Sequence, residues 1–572
     1  MPACEPEEER AYTIMVYMNG SDLESENGAA TSDLIEMLDS GVDTDIANIV
    51  IFTGGAIRWH NDLVPSDECA VWRVKDGELV KLGGVGLLNM GDPETLAGFA
   101  AYATRSFPAR RYGLILWDHG GGSIAGYGHD ELFGNSRLSL SEMDDALARS
   151  ALPEKMAFIG FDACLMASVE MAVVASRYAD YLIASQDLEP GPGWDYGFLA
   201  ALNADPGMDG GAMGKIIADS YFSYYGRHTD EGLTLSVTRL SEAGSVMDAL
   251  GALTGRCTEE MIANGAFNTL ARRRGKTKSF GNGSRRDNDC DMVDIGDMAA
   301  NLSDMFPGEA AAVAGALERA VVYERNNSDI ELGGLTAYYI YGGKKDAAGT
   351  LSTYAELGLS ADYTNYLQAF ADMMNADGPR ADGRSAAPSL PEADDLLSAH
   401  LTVWKQMPGA KGLQYMAGKL EAADMYAGGK PDLNVRWPAI NGVFVCLDRT
   451  DSSARGVEYA VPVRINNRDA DIIVLFSESC PDGKIMGSRF EDGYIIQKGL
   501  EPINDGDRIS FYRRVRKTGG PSADEWRIGG EVIVNGGPRL DWYKQRGPRR
   551  YCFLLTDWRR EERYTEFEKV PG

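Results

Sequence analysis

The chain has 572 residues, 44% of them hydrophobic and 25% charged. That is ordinary for a soluble globular protein, and too long for a single core, so two or more domains are expected. With 85 Asp+Glu against 56 Lys+Arg the formal charge is −29; such a field disfavours nucleic acid and anionic membrane, and favours cationic ligands such as Lys- or Arg-bearing peptides. No run approaches the roughly eighteen apolar residues of a membrane span. The acidic start, Met1-Pro2-Ala3-Cys4-Glu5, lacks the apolar stretch of a signal peptide. A cytoplasmic location is therefore expected if this N-terminus is native, and a secreted one if it is trimmed. The eight cysteines (4, 69, 164, 257, 290, 446, 480 and 552) are scattered without CxxC pairs, against structural zinc and against a disulfide framework.

In chain order, residues 12–18, 48–53, 112–117, 157–161, 181–185 and 233–238 read as strands. Residues 29–39, 93–104, 140–150, 168–177 and 211–225 carry helical spacing between them. The alternation predicts an α/β fold, a mostly parallel sheet with helices on both faces. Helices are expected at 242–263, 292–305 and 309–324, then a strand at 335–341 and a helix at 363–374, closing a domain over residues 11–375. Residues 376–393 are rich in Pro, Gly, Ser and Ala and read as a linker. Residues 394–572 form a second domain: a helical connector, then an antiparallel β-rich sandwich or barrel. Its short strands are separated by turn signals such as Asn441-Gly442, Asp482-Gly483, Asp492-Gly493 and Asn535-Gly536.

Two predicted strands stop at reactive side chains: residues 112–117 lead into Asp118-His119, and 157–161 into Asp162-Ala163-Cys164. Carboxyl ends of parallel strands are where ligands and catalytic groups collect in open α/β sheets. A nucleophilic thiol needs a base or cation nearby, and this chain has only five His. His119 and Cys164 are therefore the candidate base and nucleophile. Gly120-Gly121-Gly122-Ser123 follows the histidine; backbone without Cβ atoms can approach a substrate closely, and the amides of Gly120 and Cys164 are placed to form an oxyanion hole. Two rival motifs fail. The His119-Gly120-Gly121-Gly122 run imitates the oxyanion segment of esterases, but no G-x-S-x-G accompanies it. Neither GxGxxG nor GxxxxGK[ST] marks a phosphate site.

The segments YGLILWDHGGGS (112–123), FIGFDACLMASVEMA (158–172) and ASQDLEPGPGWDYG (184–197) closely resemble the clostripain-like C11 cysteine peptidases of the caspase-like clan. TIMVYMNGSDLES (13–25), CDMVDIGDMA (290–299) and GGLTAYYIYG (333–342) agree with it. The resemblance covers about residues 11–375. It implies a caspase-like fold and a Cys–His dyad without an obligatory third member. It also implies thioester chemistry and endopeptidase cleavage of polypeptides after Arg or Lys. The alternative is a non-catalytic relative that binds peptides or partners.

Cleavage after a cation demands carboxylate in the S1 pocket. Asp162 is the first candidate, the alternative being a cap on the strand-to-helix turn. Asp195 is the second, alternatively an N-cap. Trp194 could stack on the cation, or be a core aromatic. Asp118 reads as a solvated or loop-bonding residue, since alternation turns it away from His119. Family members are often cut between His and Cys by their own activity; in the polar stretch 129–138, Arg137 is the expected point, the alternative being an uncut loop. The basic cluster 272–278 reads as a solvated loop, or as a second processing site. Asp287-Asn288-Asp289-Cys290-Asp291 begins like an EF-hand, but Met292 and Met298 replace the turn glycine and the bidentate glutamate. With no HExxH or clustered His, no metal site is expected; no cofactor is required, and Ca2+, on which some relatives depend, stays open.

Overall fold

The structure is a computed structural model; it describes the chain apart from residues 3–6, 151, 226–231, 282–289, 329, 342–346, 376–395, 407–411, 420–425, 427–435, 454–455, 493–494, 497, 518–524, 545–549, 559, 561 and 570–572. The strands of the first domain are β1 (Arg10–Asn19), β2 (Ala47–Gly54), β3 (Ala70–Lys75), β4 (Glu78–Gly84), β5 (Ala109–Trp117), β6 (Tyr127–Asp130), β7 (Ser136–Leu138), β8 (Met156–Asp162), β9 (Ala179–Ala184), β10 (Thr234–Arg239), β11 (Ser279–Phe280), β12 (Met292–Asp294), β13 (Val321–Asn326) and β14 (Thr336–Tyr338). Nine of them form one sheet in the order β13-β10-β9-β8-β5-β1-β2-β3-β4. The middle five, β9-β8-β5-β1-β2, are parallel. The flanking β10, β13, β3 and β4 join antiparallel.

The period-2 geometry of a strand sends alternate side chains to opposite faces, and β1 shows what that achieves. Met15 and Tyr17 enter one core with Leu114, Leu116, Ile159 and Phe161. Ile14, Val16 and Met18 enter the other with Ile115, Trp117 and Phe158. Helices Pro93–Ser106, Leu140–Arg149, Val169–Ala175 and Ala243–Asn264 cover the first face, and Ala29–Asp39 and Gly210–Tyr225 the second. Each fully buried aliphatic side chain contributes roughly 1.5–3 kcal/mol, so a sheet apolar on both faces is a stiff base for groups at its carboxyl edge.

Several expectations change. The β3–β4 hairpin extends the sheet beyond the predicted strands, and β10 runs antiparallel. The helix expected at 309–324 ends at Ala320, and the chain continues as β13; the β-branched and aromatic Val321-Val322-Tyr323 fit a pleated edge better than another helical turn. The helix expected at 292–305 begins with β12 instead and runs Ile295–Leu302, capped by Asp294. Residues 272–276 belong to helix Phe267–Lys276 rather than a loop, and Arg274 is buried, bonded to the Tyr339 carbonyl at 2.8 Å and to Asp291 at 3.3 Å.

The linker read at 376–393 lies outside the described residues. Beyond it, strands Leu396–Gln406 and Gly412–Lys419 stand where a helical connector was expected. Both belong to a twelve-stranded antiparallel sheet. A small sheet of Trp437–Ile440, Val443–Phe444 and Leu540–Tyr543 packs on it, Ile440 and Leu540 meeting Val461, Ile472 and Ile509. The arrangement is a sandwich of one large and one small sheet. Asn441-Gly442, both with positive φ, makes the expected tight hairpin. Asp482-Gly483 instead lies within strand Cys480–Asp492.

Candidate active site

Pairing of β5 with β8 sets Trp117 opposite Asp162. His119 and Cys164 each follow two residues later, so the register alone carries both to one edge of the sheet. The ladder runs one step further, Asp118 N–H donating to the Asp162 carbonyl at 3.3 Å. The chain then turns sharply after Cys164: Leu165 is left-handed, φ +66, a conformation that costs a branched residue energy and that clusters at functional sites. Gly120 is demanded by its surroundings, because a Cβ there would lie 2.0 Å from the Cys164 carbonyl oxygen.

His119 is buried, and its Nε2 lies 2.8 Å from Asp22 Oδ1. Burial opposes charge on the imidazole, but Asp22 more than offsets this and raises its pKa. Burial likewise opposes the Asp22 charge, and the His119 partner overcomes it, holding that carboxyl well below the usual range. Asp22 sits just beyond β1, next in the sheet to β5, and orients the ring so that Nδ1 is left without a protein partner. Asp118 is not solvated: it is fully buried and accepts from Asn19 and, at 2.6 Å, from the His129 amide. Burial pushes it up to about 7.

The Cys164 thiol is fully buried, and its Sγ accepts from the Glu189 amide at 3.2 Å. Burial, with the Glu189 carboxylate close by, pushes it up to about 12. The amides of Gly120 and Cys164 donate to no protein acceptor among the described residues. They lie together, since the direction of a Gly120 Cβ points within 3.1 Å of Cys164 N.

Beside the thiol is an acidic pocket. Asp162 Oδ2 accepts from Trp194 N–H and from the Tyr196 hydroxyl, both at 3.1 Å. Glu189 Oε1 accepts from Trp194 Nε1 at 3.3 Å. Between the two carboxylates lies a cation from the second domain, Lys498. Its Nζ bonds Asp162 Oδ1, reaches the Asp162 carbonyl at 3.1 Å, and lies 3.4 Å from Glu189 Oε2. All three side chains have no exposed surface. Burial opposes the ammonium charge, but the two carboxylates hold its pKa above the ordinary lysine value; burial raises that of Glu189. The ring facing the ammonium is Trp117, 5.6 Å away. Gly193, φ +72, gives it room, for a Cβ there would meet Asp162 Oδ1 at 2.5 Å and Lys498 Nζ at 2.8 Å.

The structure thus brings Asp162 to the pocket and not Asp195. The Asp195 carboxylate caps a short 3-10 helix, accepting from Gly197 N–H at 3.0 Å, and also bonds Ser220. Trp194 packs in the core against Gly160 and serves the pocket through its two N–H groups, not its ring face. Sequence reasoning missed Asp22, Glu189 and Lys498. The first two lie in segments that carried the family resemblance; for Lys498 no local signal exists. Arg137 is exposed, but on β7, paired with β6, rather than in an open loop. Among the described residues no group of three or more His, Cys, Asp or Glu could hold a metal ion, and residues 287–289 of the EF-hand-like segment lie outside them. No described helix is long and apolar enough to cross a membrane.

Residues 16–368 match the family described as Peptidase_C11, the Clostripain family. Clostripain of Hathewaya histolytica is 26% identical over 217 residues, 32% of this chain and 40% of that protein; the chain therefore matches well under two thirds of that relative's length. A secreted C11 cysteine protease from Bacteroides thetaiotaomicron, solved with an irreversible peptide inhibitor, superposes with a TM-score of 0.47 at 19% identity, covering 63% of this chain and 99% of that one. An inactive zymogen C11 protease from Parabacteroides distasonis gives 0.48 at 19% identity over the same shares. With a family match over more than half its length, and a thiol and an imidazole at adjacent strand ends inside that match, the chain belongs to the clostripain family, C11, of cysteine peptidases.

Proposed function

We propose that the chain is a cysteine endopeptidase that cleaves polypeptides after Lys or Arg. The observation that carries this reading is the acidic pocket of Asp162 and Glu189 beside Cys164, already satisfied by a lysine side chain. In the reaction, His119 Nδ1 takes the thiol proton and the Cys164 thiolate adds to the scissile carbonyl. The Gly120 and Cys164 amides receive the oxyanion. Collapse to the thioester expels the amine, which takes its proton from the imidazolium; water, activated by the same imidazole, then releases the acid and restores the thiol. Asp22 orients the ring and stabilises its charge. Asp162 and Glu189 bind the P1 cation, where their desolvated charge is strongest.

A positional-scanning peptide library, assayed with wild type and Cys164→Ala, with and without chelator, tests this reading. Turnover confined to P1 Lys or Arg and absent in Cys164→Ala supports it; an acidic or apolar P1 preference refutes the pocket assignment. The chelator arm reads any Ca2+ dependence. Self-processing at Arg137 belongs to the same reading. Wild type, but not Cys164→Ala, yields two fragments on a denaturing gel, whereas active wild type that stays intact contradicts it. Because Arg137 lies on the hairpin strand β7, between the paired Ser136 and Leu138, that cut requires β7 to peel from β6.

A further inference from the structure

We propose that Lys498 is a tethered stand-in for the substrate's P1 residue: the C-terminal domain plugs the S1 pocket with it and holds the peptidase latent. This rests on the reading of Asp162 and Glu189 as the S1 pocket. Four observations carry it.

The first is chemical. A lysine with no exposed surface is rare and costly unless paired, and among the described residues this one is paired only with groups of the proposed catalytic site, 336 residues away in sequence from Asp162. The pocket has the complementary need. Asp162, Glu189 and Asp33 are all buried, and the Asp33 carboxyl is raised by burial and then by the nearby Asp162 charge. The cation that lies between Asp162 and Glu189 is supplied by the chain itself.

The second is shape. Gly499 follows the lysine with φ +75, and its backbone lies so close to the 190–191 segment that a Cβ would come within 2.3 Å of Gly191 N. Gly193 is cut away around the ammonium. The 190–193 wall and the Lys498-Gly499 turn therefore fit each other at backbone distance.

The third is the mode of binding. The Lys498 side chain is in place, yet its carbonyl is not bonded to the Gly120 or Cys164 amide. The oxyanion donors are not engaged, so the Lys498–Gly499 bond is not presented to the thiol. Lys498 sits as an inhibitor sits, not as a bond about to be cut.

The fourth is a second anchor. Arg468 of the same domain donates from Nη1 to both Glu26 oxygens, at 2.7 and 2.8 Å, and its Nη2 lies 3.9 Å from Asp22 Oδ2. The domain thus grips both sides of the site, over the thiol pocket and over the imidazole's carboxylate. Cys164 is fully buried in this arrangement, so substrate entry requires the domain to lift.

The test uses the full chain. Hydrolysis of P1-Lys and P1-Arg fluorogenic peptides, and alkylation of Cys164 by neutral iodoacetamide, are compared in wild type, Lys498→Ala, Lys498→Arg and Glu26→Arg. Lys498→Ala is expected to raise kcat/KM for basic peptides at least tenfold and to speed alkylation of Cys164. Lys498→Arg keeps the cation and stays low. Glu26→Arg, remote from the pocket, repels Arg468 and raises both rates by a smaller factor; it decides the matter if Lys498→Ala fails to fold. Intact mass should show the Lys498–Gly499 bond uncut in wild type. Equal rates in wild type, Lys498→Ala and Glu26→Arg, or cleavage after Lys498, overturn the plug. Faster alkylation with no peptide turnover in any variant shows that the domain covers the thiol but refutes the peptidase reading, and with it the role of Lys498 as a P1 stand-in.

Discussion

The two domains contribute to one site in opposite ways. In the first, five parallel strands end on one edge, and sheet register alone brings His119 and Cys164 together. In the second, the twelve antiparallel strands converge on no such edge among the described residues, and the contribution is two basic side chains delivered by docking, Lys498 in the pocket and Arg468 beside Asp22. A parallel sheet concentrates chemistry by topology; an antiparallel one has to present it on a loop or turn, and the neighbouring domain supplies the meaning.

The comparison is broken most severely at the thiol. On the proposed reading Cys164→Ala removes the nucleophile, and it is expected to lower turnover of basic peptides by roughly 10,000-fold or more in a released form such as Lys498→Ala, read by kcat/KM. Retained activity would assign the chemistry elsewhere, for instance to an esterase-like use of the 119–122 segment. Next comes the pocket. Asp162→Asn strips a buried charge from a cation site, and roughly 100-fold in kcat/KM for P1 Lys or Arg should be lost. Asp195→Asn, at a helix cap outside the pocket, should change it by no more than about twofold. If the two exchange these effects, the pocket has been drawn on the wrong aspartate.

Among the residues of the site itself the smallest expected loss is at Asp22, and it carries a pH signature. Asp22→Asn is expected to slow turnover about tenfold at neutral pH, a fraction of what a general base contributes. His119 has its pKa raised in the folded protein, so its stabilisation is full below the ordinary imidazole value of 6.5 and fades as pH rises through the raised one. Asp22 is depressed, so its share is present above the ordinary 3.8 and lost as pH falls through the lowered value. The drop in Tm caused by Asp22→Asn should therefore be greatest between about pH 4 and 6.5 and shrink toward pH 9. A drop that is flat with pH, or that grows toward pH 9, would mean the pair is not an ion pair.

How much of this was legible follows the same division. The strands ending at His119 and Cys164 are unbroken apolar runs, so their nature and adjacency could be read directly. Asp162 could be singled out because it lies two residues from the thiol. Asp22 could not, although it stands in a segment that carried the resemblance, because its partner His119 is 97 residues away and spacing says nothing about such pairings. Trp194 and Asp195 misled for a related reason: a Trp-Asp pair in a glycine turn looks the same whether its side chains face a ligand or the core and a helix cap. The switch from helix to strand at Ala320–Val321 has no Gly or Pro to announce it. Lys498 is the extreme case, since nothing local distinguishes it from a solvated lysine, and only the docked fold buries it.

The central claim is that Cys164 is a nucleophile served by a cation-selective pocket. The most direct measurement is labelling of Lys498→Ala protein with two peptidyl electrophiles that differ only at P1, Lys against Leu, with the adduct located by peptide mass spectrometry. The expected result is one adduct, on Cys164, formed far faster by the Lys reagent and suppressed by His119→Ala. Equal labelling by both reagents, or label spread over Cys69, Cys446 and Cys480 while Cys164 stays unmodified, would contradict it.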